Sequence, residues 1–226
     1  MSYFLNNLYQ TIYCERGVSV AFWAEPVNAM TNIVFLIVGF LATRLLIKTK
    51  SDTKEMIVLP WLFAGVGVGS FIYHTAHSPS TLALDALPIY IFILYVLFLV
   101  LSWLTKNKIK SALILLGFVM CEITLSLLVP KEFLNGSIRH ITAFMFISVI
   151  CSEIFRQRSS TVAFRILSVL GLYALAIFFR SIDSYICTWW QYGSHFLWHI
   201  FAALAGYQAI YTLSLMKQQK QDTLRD

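Results

Sequence analysis

Residues 86–104 read ALPIYIFILYVLFLVLSWL, nineteen positions without one charged side chain. At a helical rise of 1.5 Å per residue they cover about 29 Å, the thickness of a bilayer's hydrocarbon core. Runs of the same kind recur along the chain and predict helices at 27–47, 57–76, 86–104, 111–129, 137–155, 161–180 and 194–216. Across the 226 residues, 58% are hydrophobic and 12% charged, where soluble domains carry roughly a quarter charged residues. The expected fold is all-α, an integral membrane bundle of seven transmembrane helices in a single domain, 1–226. No repeat, Pro/Ser/Gly-rich linker or cleaved secretion signal interrupts it.

The seventeen Lys and Arg residues give the chain a formal charge of +6 and orient it. If seven helices alternate, Arg44, Lys48, Lys50, Lys54, Lys106, Lys108, Lys110, Arg156, Arg158, Arg165, Lys217, Lys220 and Arg225 fall on one side. Only Arg16, Lys131, Arg139 and Arg180 fall on the other. Cytoplasmic loops hold the excess of basic residues, so the C-terminus is expected in the cytoplasm and the N-terminus outside. The positive charge marks a bilayer surface and not a nucleic-acid partner.

Ionisable side chains inside a bilayer are costly and usually face the bundle interior, where they carry function. Helix two ends in GVGVGSFIYHTAH (65–77), which sets Ser70 and His74 one turn apart on one face. Asp85 follows at the entry of helix three. Helix seven opens with GSHFLWHI (193–200), where His195 and His199 are again one turn apart. With alternating helices, His74, His195, His199 and Asp85 all come to the outer ends, at one depth. Three neutral imidazoles with a fourth position left open describe a catalytic zinc site, whereas structural zinc usually has four protein ligands and favours thiolates. Around such an ion Asp85 would serve as general base and acid, and Ser70 would donate to a developing oxyanion. The reaction class is acyl transfer to water.

Blander readings stand beside these. Ser70 could be one more small residue for close helix packing, with Gly65, Gly67 and Gly69. Asp85 could cap helix three ahead of Pro88. His77 and His140 read as hydrogen-bonded or interfacial histidines. Cys121 and Cys151 read as apolar packing residues. Trp23, Trp189, Trp190 and Tyr192 read as an outer interfacial belt, and Tyr73 and Trp198 as pocket walls. A receptor or lipid sensor with a structural zinc is the competing function, and a proton-transfer group such as Asp85 argues against it. A transporter fits less well, because the central depth of the helices shows no ionisable residue.

The same residues give the chain its resemblance to the alkaline ceramidase family, part of the seven-helix membrane hydrolase superfamily that includes the adiponectin receptors. Four blocks carry it: YCERG (13–17) with WAEPVNAMTN (23–32), GVGSFIYHTAH (67–77) followed by LALDALPI (82–89), FRSIDSYIC (179–187), and GSHFLWHI (193–200). The first block looks especially like bacterial members. The resemblance implies zinc ligands at His74, His195 and His199, an oxyanion-stabilising serine at Ser70 and a proton-shuttling aspartate at Asp85. It implies hydrolysis of ceramide, or a related N-acyl lipid of the membrane, to a fatty acid and an amine such as a sphingoid base. It also implies a disulfide between Cys14 and Cys187, and a bacterial inner membrane with the active site on the extracytoplasmic side.

One part of the family pattern is broken. Eukaryotic members hold calcium with a run resembling Asp-Trp-Cys-Glu-x-Asn and a later Glu, which corresponds here to Ile12, Tyr13, Cys14, Glu15, Gly17 and Glu25. Two oxygen ligands are missing, and calcium takes six to eight. Glu15 and Glu25 alone would form only a weak calcium site unless water, backbone or Asp183 fills it, and tight calcium binding is not expected. Either acid is expected to pair instead with Arg16 or Arg180.

Overall fold

In the computed structural model, residues 13–130, 133–157 and 160–223 are described, the backbone alone at 160 and 220–223. Ile12, Lys131, Arg158 and Arg225 of the sequence reading lie outside the described residues, as does the side chain of Lys220. All regular structure among the described residues is helical: α1 (Pro26–Thr31 and Ile33–Lys48, meeting at Asn32), α2 (Lys54–Thr75), α3 (Pro79–Thr105), α4 (Lys108–Leu128), α5 (Ile138–Arg156), α6 (Ser160–Ile186) and α7 (His195–Thr223). A short 3₁₀ turn, Phe133–Gly136, precedes α5.

Seven of these segments are long and apolar enough to cross a membrane. The most apolar window of α4 is only 17% buried within the protein, and that of α3 only 22%. Leu113, Leu127, Met145 and Phe164 stand on the outside of the bundle. An apolar exterior on this scale is satisfied by lipid and not by water. The chain is an integral, multi-pass membrane protein.

Helix ends explain where two expectations shift. α3 begins seven residues before its expected start, because Ser78 caps it. The Ser78 hydroxyl accepts the Thr81 N–H at 3.2 Å, the Thr81 hydroxyl accepts the Ser78 N–H at 2.9 Å, and Pro79 occupies the first helical position. Pro88 therefore sits inside the helix, and Asp85 is a buried residue of its second turn rather than its cap. α6 runs to Ile186, six residues beyond its expected end, so Asp183 is helical and not in a loop.

Helices adjacent in sequence pack together around the bundle, and α7 closes the ring by packing on both α6 and α1. α7 also touches α2 and α3. The helix that carries His195 and His199 thereby lies against α1, α2, α3 and α6. Gly67 and Gly69 let neighbours approach: a Cβ at Gly67 would press on the Asn32 carbonyl and Phe35, and one at Gly69 would collide with the Leu84 carbonyl. Gly65 faces open space, so its place in the glycine run has no packing role.

Two further expectations are corrected. Cys121 is exposed on α4, unlike buried Cys151, so it faces the surroundings and not the packed interior. The spans are also not free of ionisable groups, since Glu122 is buried within α4. The aromatic residues Trp23, Trp189, Trp190 and Tyr192 are all exposed.

Candidate metal centre

α2 and α7 bring His74, His195 and His199 together. One ring nitrogen from each lies within 4.8 Å of the other two, and all three side chains are buried. Such proximity of three basic groups calls for an explanation, which the outer partners of the rings supply.

His74 Nδ1 is 2.5 Å from Glu25 Oε2, which can only accept, so Nδ1 carries the proton and Nε2 keeps its lone pair. The Thr31 hydroxyl hydrogen is directed at the backbone carbonyls of Val27 and Asn28, at 2.9 and 3.0 Å. Thr31 Oγ1 is therefore an acceptor for His199 Nδ1–H at 2.9 Å, which frees His199 Nε2. His74 Nε2, His199 Nε2 and His195 Nδ1 are sealed from solvent and have no hydrogen-bond partner among the described residues. Buried polar atoms rarely stay unsatisfied. Three orphaned imidazole nitrogens in one buried group fit a metal ion that prefers nitrogen ligands, with the rings of His74 and His199 each fixed by a further partner, as metal-bound histidines usually are.

Glu25 is the second buried layer. One oxygen serves His74 and Asn28 Nδ2; the other is paired with Arg16 Nε. Arg16 is held in turn by the His74 carbonyl at 2.9 Å, and by the carbonyls of Ala21 at 3.2 Å and Ser19 at 3.3 Å. Burial raises the pKa of Glu25, but the hydrogen bonds from His74 and Arg16 and the charge of Arg16 outweigh it and hold the carboxyl below its ordinary value. Glu15 accepts the N–H groups of Val27 at 2.7 Å and Asn28 at 2.8 Å, at the start of α1. Its partial burial pushes its pKa up, against the pull of those two donors. The two acids read as a weak calcium site are thus engaged elsewhere, Glu15 on a helix start and Glu25 between a histidine and a guanidinium.

Asp183 does not join them. Its carboxylate accepts the backbone N–H groups of Cys14, Ser194 and His195. Cys14 and Cys187 form a disulfide, which fastens Tyr13 over the histidines. The Tyr13 ring centre lies 4.0 Å from that of His195 and 5.1 Å from that of His74. Burial pushes the Tyr13 phenol up to about 12, so it remains neutral. Tyr13 and Thr31 had no signal of their own in the sequence beyond their places in YCERG and WAEPVNAMTN; Glu25 was expected as an acid that pairs with an arginine, which it is, but not as the partner of His74.

Ser70 is buried one turn before His74 on α2. Its neighbour Gly69 abuts the Leu84–Asp85 peptide of α3, which sets Asp85 beside the same part of α2. Asp85 lies within electrostatic range of Tyr13 and Arg180. Below Trp198 an apolar cavity runs down α7 past Ala202, Ala205 and Gly206 to Thr212, with Phe63, Phe92 and Ile150 among its walls. Trp198 to Thr212 is fourteen residues, about 21 Å of helix. Tyr73 packs on Tyr13 and His77 instead of lining this cavity. His140 is 3.0 Å from the Tyr173 hydroxyl, as a hydrogen-bonded histidine.

Comparison with the curated proteins returns no match. The profile of the family described as Ceramidase matches residues 10–226, nearly the whole chain and every helix above. Three buried histidines on two helices of a seven-helix membrane bundle therefore belong to a member of the ceramidase family.

Proposed function

We propose that this protein is a zinc-dependent intramembrane amidase that hydrolyses ceramide or a related N-acyl lipid to a fatty acid and an amine. The observation that carries the reading is the set of three buried imidazole nitrogens without partners among the described residues, at the head of an apolar cavity. His74, His195 and His199 would hold the ion. Zinc in such a site lowers the pKa of water toward 7 and polarises a carbonyl.

The chain's own residues account for the remaining steps. The cavity below Trp198 takes the acyl chain, its lining almost entirely apolar side chains and its length that of a long fatty acyl group. Asp85 takes the proton of the attacking water and returns it to the leaving nitrogen, which must be protonated to depart as an amine. Ser70 donates its hydroxyl hydrogen to the carbonyl oxygen as negative charge builds there. Glu25 and Thr31 keep the protons of His74 and His199 on Nδ1 throughout. The Cys14–Cys187 bridge sits at the metal end of the bundle and needs an oxidising compartment to form. Together with the thirteen basic residues assigned to the opposite side, this favours a centre facing the extracytoplasmic side, and the likeness of AEPVNAMTN to bacterial members favours a bacterial inner membrane.

The test is metal analysis combined with a hydrolysis panel. Purified protein should contain about one zinc per chain, lose it in His195→Ala or His199→Ala, and release fatty acid from an N-acyl lipid. Bound zinc without turnover of ceramides, N-acyl amines or N-acyl amino acids would favour a receptor instead.

A further inference from the structure

Arg180 is a half-buried cation that makes no ion pair among the described residues. It lies on α6 three residues before Asp183, with its guanidinium carbon 5.4 Å from the centre of the Trp198 ring. Nη1 is 3.4 Å from the Tyr13 hydroxyl, and Nε is sealed from solvent and donates to nothing among the described residues. No carboxylate among the described residues comes within 4.0 Å of it. Asp85 acts on it from longer range, and Asp183 is occupied by three backbone N–H groups. Its partners, a phenol and an indole face, are both neutral.

Arg16 shows what a fully satisfied buried arginine looks like in this protein, with one carboxylate and three carbonyls around it. A guanidinium withdrawn from water is costly unless it is paired, and a neutral phenol and an aromatic face offset that cost less well than an anion would. The unmet demand at Arg180 is for an anion.

Its position says where that anion belongs. Trp198, on which the guanidinium stacks, is both a wall of the apolar cavity and the residue before His199. Tyr13, its other partner, lies against His195. Arg180 therefore stands at the junction of the metal centre and the cavity mouth. The cavity lining offers essentially no polar surface, so a ligand's charge cannot enter with the acyl chain. It must lie on the far side of the scissile bond.

We infer that Arg180 binds an anionic group, a carboxylate in the first instance, on the amine half of the lipid amide. The preferred substrates are acyl chains amide-linked to an anionic head group such as an amino acid, ahead of neutral amides. This rests on the amidase reading above.

N-oleoylglycine and N-oleoylethanolamine differ little beyond a carboxylate in place of a hydroxymethyl group. With wild-type protein, kcat/KM for the glycine amide should exceed that for the ethanolamide. Arg180→Gln should lower that ratio about 10-fold or more, as expected for loss of a charge-assisted pair, and Arg180→Lys should restore part of it. Direct binding of the two lipids to zinc-loaded protein, measured without turnover, should show the same ordering and the same loss in Arg180→Gln. If wild type hydrolyses neither lipid, the amidase reading fails while the binding measurement still decides the role of Arg180. The inference is overturned if wild type shows no preference for the anionic lipid in turnover or in binding. It is equally overturned if Arg180→Gln weakens both lipids alike, or if it relieves inhibition by oleate without changing the ratio, which would make Arg180 a site for the product carboxylate.

Discussion

Asp183 accepts the backbone N–H of His195 at 2.9 Å through Oδ1, the same oxygen that takes the N–H of Ser194 at 2.6 Å. Its other oxygen takes the N–H of Cys14 at 3.0 Å. One carboxylate on α6 thereby caps the start of α7 and fastens the bridged amino-terminal segment to it. Gly193 makes room for this: its φ is +64°, and a side chain there would run into Asp183 and Cys14. Because His195 is the first residue of α7, the cap sets where its ring can reach. Asp183→Asn removes the charge and turns one acceptor into a donor facing N–H groups. Zinc affinity should fall about 10-fold or more, in line with the usual cost of losing an outer partner of a metal ligand. Competition with a chelator measures it, and unaltered affinity would show that other contacts hold α7.

Glu25 and Arg16 allow positioning and charge burial to be separated. Glu25→Gln takes the carboxylate from His74 and leaves Arg16 buried without its anion. Breaking such a pair costs about 3–5 kcal/mol, and loss of the His74 partner should weaken zinc about 10- to 100-fold. In Glu25→Gln/Arg16→Met the orphaned cation is gone. The double variant should regain thermal stability, read as the melting midpoint in detergent, without regaining zinc affinity. Recovery of both would mean that Glu25 serves only Arg16.

The seven spans could be read from the sequence because lipid demands long apolar runs, and a run such as 86–104 has no soluble alternative. The three histidines could be read for the converse reason, since few ionisable residues interrupt those runs. Their supports could not. Thr31 is a threonine among ordinary helix residues, and its role depends on α1 and α7 packing at one register. Asp183 reads as a loop residue because SIDSYI is too polar for a span, yet the peptide continues as helix and turns the carboxylate toward α7. The start of α3 was written plainly in Ser78 and Pro79, but Pro88 carries the same signal, and only the packing of Leu84 against Gly69 shows that the earlier start is used.

That contact leads to a prediction about Asp85. Asp85→Asn preserves size and burial but removes the proton-accepting carboxylate. Zinc content should hold at the wild-type level while kcat falls about 100-fold or more. Gly69→Val should reach a similar loss by another route, pushing the Leu84–Asp85 peptide away from α2. Normal turnover in Asp85→Asn would remove Asp85 from the reaction.

The cavity along α7 should act as a ruler for acyl length. Ala205 is buried on its wall, seven residues below Trp198 and about half-way to Thr212. A phenylalanine there would fill the channel near its middle and leave only the upper part, between Trp198 and the new ring, for an acyl chain. Overpacking a tight core costs about 1–3 kcal/mol, but this side chain would enter space that is already open, so the bundle should tolerate it better. Ala205→Phe should move the preferred substrate from long acyl chains to short ones, with kcat/KM for the long chains falling about 10-fold or more. The short-chain value should change least, because every group at the metal centre lies above the block. Hydrolysis of a series of amides sharing one head group and differing in acyl length gives the measurement. An unchanged length profile would mean that the acyl chain lies elsewhere, against the lipid-facing surface of the helices and not inside the bundle.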